Sequence, residues 1–150
     1  MLTGLLLSCL LVAACRAGDP WVEVGEQRYF VEISDTDELR ARGLMFRDEM
    51  ADDAGMFFIW PDSRPRAFWM RNTRIPLDIV YIGEDLRIAG WSLDTPPCRV
   101  RRCPSYPSGA PARYVLEVNA GEMERLGAAI GDPVVIGNVP GLRPNSGEGS

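Results

Sequence analysis

The residues best placed to do chemistry lie in one segment, Ala67-Phe-Trp-Met-Arg-Asn-Thr-Arg-Ile-Pro-Leu-Asp78, which carries aromatics, a thioether, guanidiniums, an amide, a hydroxyl and a carboxylate. In an extended chain Phe68 and Met70 face one way and Trp69 and Arg71 the other. One pair then enters the core and the other lies at its rim, with Asn72 and Thr73 at the strand end and Pro76 breaking any ladder. The first reading is structural: a buried turn in which Asp78 folds back toward Asn72 or an arginine and polar side chains satisfy loose backbone groups. The second is a pocket with Trp69 as wall and Asn72, Thr73 and Asp78 as hydrogen-bonding groups.

Catalytic partners for this segment are few. The chain has no histidine, and all 16 of its basic residues are arginine. Ser-His-Asp and Cys-His arrangements, histidine metal sites, Schiff-base lysines and Ser-Lys dyads are therefore excluded within this chain. Acid/base chemistry falls to carboxylates, tyrosine or a thiol. Asp78 and Glu117 form the candidate pair of a carboxylate-dependent, glycosidase-like hydrolase, which needs its two carboxyl groups about 5–9.5 Å apart across a cleft. Glu117 lies in an apolar strand, so it is either paired with an arginine, the first expectation, or holds its proton unusually tightly.

Arginines supply the remaining candidates. Arg42 and Arg47 flank Gly43-Leu44-Met45-Phe46, where they pair with carboxylates such as Asp78 or Glu117, or bind an anion. Arg64, Arg66, Arg71 and Arg74 form a denser basic stretch, which reads as a solvated face or as a seat for an anionic glycan or phospholipid head group. Trp21, Trp60, Trp69 and Trp91 are expected in the core, where large rings bury most area. The formal charge of −5 argues against general nucleic-acid affinity.

The elements that position these groups read as short strands. Trp21–Val24 and Gln27–Ile33 flank Gly25-Glu26 as a hairpin. Ser34 and Asp35 cap a helix to Arg42, stopped by Gly43. Met56–Trp60 is a buried apolar strand, Asp62–Arg66 a turn and Ala67–Arg71 a further strand. Asp78–Ile82 and Arg87–Leu93 form a second hairpin, and Arg113–Val118 alternates most clearly. A short helix over Gly121–Ala129 and a last strand over Asp132–Ile136 complete a mainly β domain. Its fold class is a compact β-sandwich or partly closed barrel with two short helices.

The N-terminus addresses the chain. Residues 1–14 would form a helix of about 21 Å, too short for a hydrocarbon core of about 30 Å, and read as a signal peptide. Val12-Ala-Ala-Cys15 resembles a lipoprotein lipobox, which makes Cys15 the lipidated residue and residues 15–20 its tether; cleavage without lipidation and a buried helix are the alternatives. Residues 21–139 then form one domain and 140–150 a disordered tail. The expected location is the periplasm or cell envelope, anchored to the membrane at Cys15. In that compartment Cys98 and Cys103 read as a local disulfide, with a redox-active pair as the alternative. No metal site or cofactor is expected, because two further ligands are missing.

Four blocks, Arg42–Arg47, Gly55–Phe58, Phe68–Asp78 and Tyr114–Gly121, resemble domain-of-unknown-function family 192. Pro96–Cys98, Cys103–Tyr106 and Gly131-Asp132 also look like family features. The resemblance spans about Val22 to Ile136 and implies a compact β-rich fold but no substrate, cofactor or reaction. The functional expectation is a lipid-anchored, non-enzymatic envelope protein. Its binding site would use Trp69, Asn72, Thr73 and Asp78, with Arg42 nearby, for a small anionic or glycan ligand. The hydrolase and a pocketless scaffold with an apolar interaction patch are the alternatives.

Overall fold

The computed structural model describes residues 18–145. The expected signal peptide, Cys15 and the last five residues of the expected tail lie outside the described residues. Seven strands run in chain order: β1 (Trp21–Val24), β2 (Gln27–Ser34), β3 (Ala54–Phe68), β4 (Leu77–Ile82), β5 (Ile88–Thr95), β6 (Tyr106–Asn119) and β7 (Val134–Gly137). They form one sheet ordered β5-β4-β6-β3-β2-β1-β7. Helices α1 (Asp37–Arg42) and α2 (Glu122–Leu126) complete the fold.

β1 and β2 are antiparallel around a turn at Gly25, whose φ of +59° suits glycine. β2 and β3 are parallel and joined through α1, so the sheet is mixed. The helix is capped by Thr36, which accepts from the backbone of Leu39 at 3.2 Å, rather than by Ser34 or Asp35. Ser34 instead completes β2.

The largest departure from expectation is β3. One strand runs from Ala54 to Phe68 and absorbs the turn expected at Asp62–Arg66. It pairs antiparallel with β6, and register shifts fall between Ile59 and Arg64 and between Pro65 and Ala67. Those irregularities admit Pro61 and Pro65, which cannot donate to a regular ladder.

The sheet curls into a half-barrel. Its two edges meet near one end, where Ile88 donates to Asp132 (3.0 Å) and accepts from Gly131 (2.8 Å). This curling brings Val22, Tyr29, Phe57, Val80, Leu116, Met123 and Ile136 into one cluster on the concave face. Leu44, Phe58, Met70, Ile79, Tyr81 and Val115 form a second cluster on the other face. Both faces of β4 are therefore covered, and all six of its residues are buried.

The tryptophans are not core residues. Trp21, Trp60 and Trp91 are half-buried, while Trp69 is 49% exposed. Arginines cover the first two: Arg28 lies 3.6 Å from the Trp21 ring centroid, and Arg66 and Arg40 lie 4.6 and 5.4 Å from that of Trp60. With Arg71 over Trp69, three indoles thus sit under guanidiniums.

Candidate functional site

Glu117 belongs to β6, whose alternation places Val115 and Glu117 on the second face and Leu116 and Val118 on the concave one. Its register partners are Ile79 on β4 and Met56 on β3. The side chain is only 4% exposed, and it forms no hydrogen bond or ion pair among the described residues. The expected arginine partner is therefore absent there. Burial alone drives its pKa up, to about 8, so the carboxyl is largely protonated at neutral pH.

The carboxyl lines a narrow cleft of about 30 Å³, room for a single water-sized group. Gly43 makes part of that room. A Cβ built there would lie 3.4 Å from Phe58 and 3.9 Å from Glu117 Oε2, and φ and ψ of +47° and −137° demand glycine in any case. Beneath the cleft, Phe68 stacks edge-on against Phe58 (5.0 Å) and Tyr81 (5.9 Å), which fixes the wall. The Tyr81 hydroxyl donates to the carbonyl of Tyr106 and ties β4 to the start of β6.

Trp69, Arg42, Arg71 and Thr73 line the same cleft. The Arg71 guanidinium lies 5.5 Å from the Trp69 centroid. Neither Arg42 nor Arg71 has a carboxylate partner among the described residues. Arg47 does: it grips Glu32 through two contacts of 2.5 and 2.6 Å. Arg74 is held by Asp48 at 2.9 Å, and both Arg64 and Arg66 pair with Asp62. The basic stretch thus holds three neutralised arginines and one, Arg71, without a carboxylate partner among the described residues. Thr73 is buried, and its hydroxyl contacts the carbonyl of Arg71 at 3.5 Å.

Asn72 and Asp78 are placed elsewhere. Asn72 is exposed, adopts a left-handed φ of +56° and lines the neighbouring depression beside Phe46. Asp78 is fully buried and accepts from the backbone of Asp94 (2.8 Å), Gly121 (3.2 Å) and Met123 (2.9 Å). It neither meets an arginine nor turns back to Asn72. Since Ile79 is the register partner of Glu117, Asp78 projects to the opposite face of the sheet. The carboxylate pair of the hydrolase reading therefore does not form.

Asp78 instead borders a larger depression of about 460 Å³ between β5 and α2, walled by Trp91, Leu93 and Met123. Its volume exceeds that of the Glu117 cleft, but its one fully buried carboxylate is saturated by backbone donors. Free polar groups that could orient a ligand are found at the Glu117 cleft. Arg71, already part of the basic stretch, and Gly43, read only as a helix stop, also line this cleft. The Arg42-Gly-Leu-Met-Phe-Arg47 block was the available signal, because it brackets the cleft wall.

Cys98 and Cys103 form a disulfide, which closes the loop between β5 and β6. Among the described residues no group of three or more His, Cys, Asp or Glu side chains could hold a metal.

Residues 21–136 match DUF192, the family described as "Uncharacterized ACR, COG1430". A crystal structure of a protein of unknown function from Novosphingobium aromaticivorans is 36% identical with a TM-score of 0.70, over 77% of this chain and 82% of that one. A protein from Sinorhizobium meliloti, named provisionally as a transcription regulator, is 32% identical with a TM-score of 0.71, over 80% of this chain and 93% of that one. No curated protein matches the chain.

Proposed function

The chain belongs to the DUF192 family, and from that premise we propose a non-enzymatic, lipid-anchored envelope protein that binds a small anionic or glycan ligand at the Trp69–Glu117 cleft. The observation that carries this reading is Glu117: a buried carboxyl without an internal partner, at the floor of a cleft whose rim holds an exposed indole and two uncompensated guanidiniums. A protonated carboxyl can both donate to and accept from a ligand hydroxyl. Trp69 offers an apolar face to a sugar ring, and Arg42 and Arg71 offer forked donors to a carboxylate.

The cleft admits only one small group, so the body of the ligand rests outside it against Trp69. Export and anchoring rest on the Val12-Ala-Ala-Cys15 lipobox, and the Cys98–Cys103 disulfide suits an oxidising compartment. A regulatory role on nucleic acid is not carried over from the Sinorhizobium relative, whose name alone suggests it.

The test is calorimetric titration of the full-length chain with digalacturonate. Saturable binding that falls by about tenfold or more in Trp69→Ala and Arg71→Gln supports the reading, the loss of about 1.4 kcal/mol that a single charge-assisted contact supplies. Unchanged affinity in both variants removes the site. For the anchor, Cys15→Ser should move the protein from the membrane to the soluble fraction; retention at the membrane would refute lipidation.

A further inference from the structure

We propose that the Glu117 cleft is one subsite of a longer tract for an acidic polysaccharide chain, with Phe46 as its second stacking ring and Ser34 as a further hydroxyl-reading group. The inference rests on the ligand-site reading above and extends it from a small molecule to a polymer.

Three depressions adjoin on this face. The cleft shares Arg42, Gly43 and Met45 with a depression of about 380 Å³ that Ser34 and Phe46 also line. It shares Thr73 with another of about 350 Å³, lined by Phe46, Asn72 and Arg99. Phe46 stands between the two larger ones. The three depressions are thus neighbours on one face, joined through shared lining residues.

Phe46 has an unusual conformation. Its φ is +67°, and its ring is 55% exposed. Its backbone N–H donates to the carbonyl of Asn72 at 2.8 Å, and Asn72 is itself left-handed. The left-handed conformation is strained for a residue with a large side chain, and such strain gathers at ligand-binding segments. Here it leaves the Phe46 ring at the surface, with the Arg74 guanidinium 5.8 Å from its centroid.

Ser34 adds a second, independent observation. Its Oγ is buried with no hydrogen-bond partner, and Ser34 lines the depression beside Phe46. Register places it beside Phe58 on the same face as Met56 and Glu117. The tract thus has two buried polar groups that the protein does not satisfy internally, one in each of two adjoining depressions. Buried polar groups are normally paired, so each is available to a ligand hydroxyl.

Charge selects the ligand class. Arg42, Arg71 and Arg99 border the tract without a carboxylate partner among the described residues, in a chain whose net charge is −5. Guanidiniums recognise carboxylates through paired hydrogen bonds. Rings separated by polar-walled depressions suit alternating sugar faces and hydroxyls better than the flat apolar surface of a membrane.

The experiment titrates the full-length chain with digalacturonate and hexagalacturonate, using maltohexaose as the neutral control. The hexamer should bind about tenfold or more tightly than the dimer, as linked subsites require, and maltohexaose should bind far more weakly. Phe46→Asn keeps a residue that tolerates the left-handed conformation; it should reduce the hexamer to dimer-like affinity and leave the dimer unaffected. Ser34→Ala should melt no lower than the parent yet bind the hexamer at least threefold more weakly. Equal affinity for dimer and hexamer overturns the tract while leaving the cleft intact. Failure of both acids to bind overturns tract and cleft together for this ligand class. Sedimentation of Cys15→Ser with phosphatidylglycerol vesicles, lost in Trp69→Ala, would replace the glycan with a lipid surface.

Discussion

Glu117 keeps its proton because burial withdraws the water that would stabilise its charge, and no guanidinium takes that water's place. A carboxyl whose folded pKa is raised binds its proton more tightly in the native state than in the unfolded one. Below the unfolded value of 4.5 both states are protonated and the group has no pH effect. Between 4.5 and about 8 only the folded state holds the proton, so stability falls as pH rises, at up to about 1.4 kcal/mol per pH unit. Above that window the charged form is fully penalised. Glu117→Gln keeps the shape and removes the charge, so urea unfolding between pH 5 and 9 should show a flatter profile and a variant more stable than the parent at pH 9. An unchanged pH profile would show that Glu117 ionises normally. The burial of Glu117 was legible from its place in the Tyr114–Val118 alternation, which puts it on an apolar face. The missing arginine was not, because side chains that meet across three strands leave no mark in local spacing. The same limit applies to Trp69, whose exposure depends on how β3 ends.

Asp78 shows how an element can depend on one carboxylate. Its two oxygens accept from Asp94 at the end of β5 and from Gly121 and Met123 at the start of α2, so one side chain fastens three segments. Gly121 is left-handed and offers no side-chain cap to α2, which makes Asp78 its distant substitute. Asp78→Ala strands these donors and should cost about 3 kcal/mol or more in denaturant unfolding, with Asp78→Asn less severe because one acceptor survives. Digalacturonate affinity of the folded fraction should not change; a loss of binding at full stability would return Asp78 to the ligand site. The elements themselves were largely legible: the first hairpin, the apolar run at Met56–Trp60, the β4–β5 hairpin and the alternation of β6 all lie where periodicity and turn residues place them. The continuity of β3 was hidden because Pro61, Asp62, Ser63 and Pro65 have turn chemistry. Only the partner strand β6, itself rich in proline at Pro107 and Pro111, makes them an irregular ladder. Local composition spoke for a turn, and a long-range pairing overrode it.

At the scale of the whole molecule, a curled sheet must do something with its two edges, because unpaired backbone groups invite other chains. β5 and β7 join near one end through the Arg87–Pro133 bridge and the bonds of Ile88, and Val134 donates to Leu86 at 2.8 Å. Beyond that point the outer edge of β7 would stand open. Asn145 covers it: its Oδ1 accepts from the Ile136 N–H at 2.8 Å and its Nδ2 donates to the Val134 carbonyl at 2.9 Å. One side-chain amide thereby reproduces the donor and acceptor of a neighbouring strand. Leu142 packs against the concave cluster and brings Asn145 into place, so residues 140–145 are held against the sheet. Asn145→Ala should cost about 1–2 kcal/mol for the two backbone groups it exposes. It should also speed amide exchange at Ile136 relative to Val22 on β1, and shift light-scattering mass upward with concentration as β7 edges pair. Asn145→Asp keeps the acceptor and loses the donor, so it should fall between the two. A variant whose mass and Ile136 exchange match the parent's would mean that β7 is protected by the barrel closure alone.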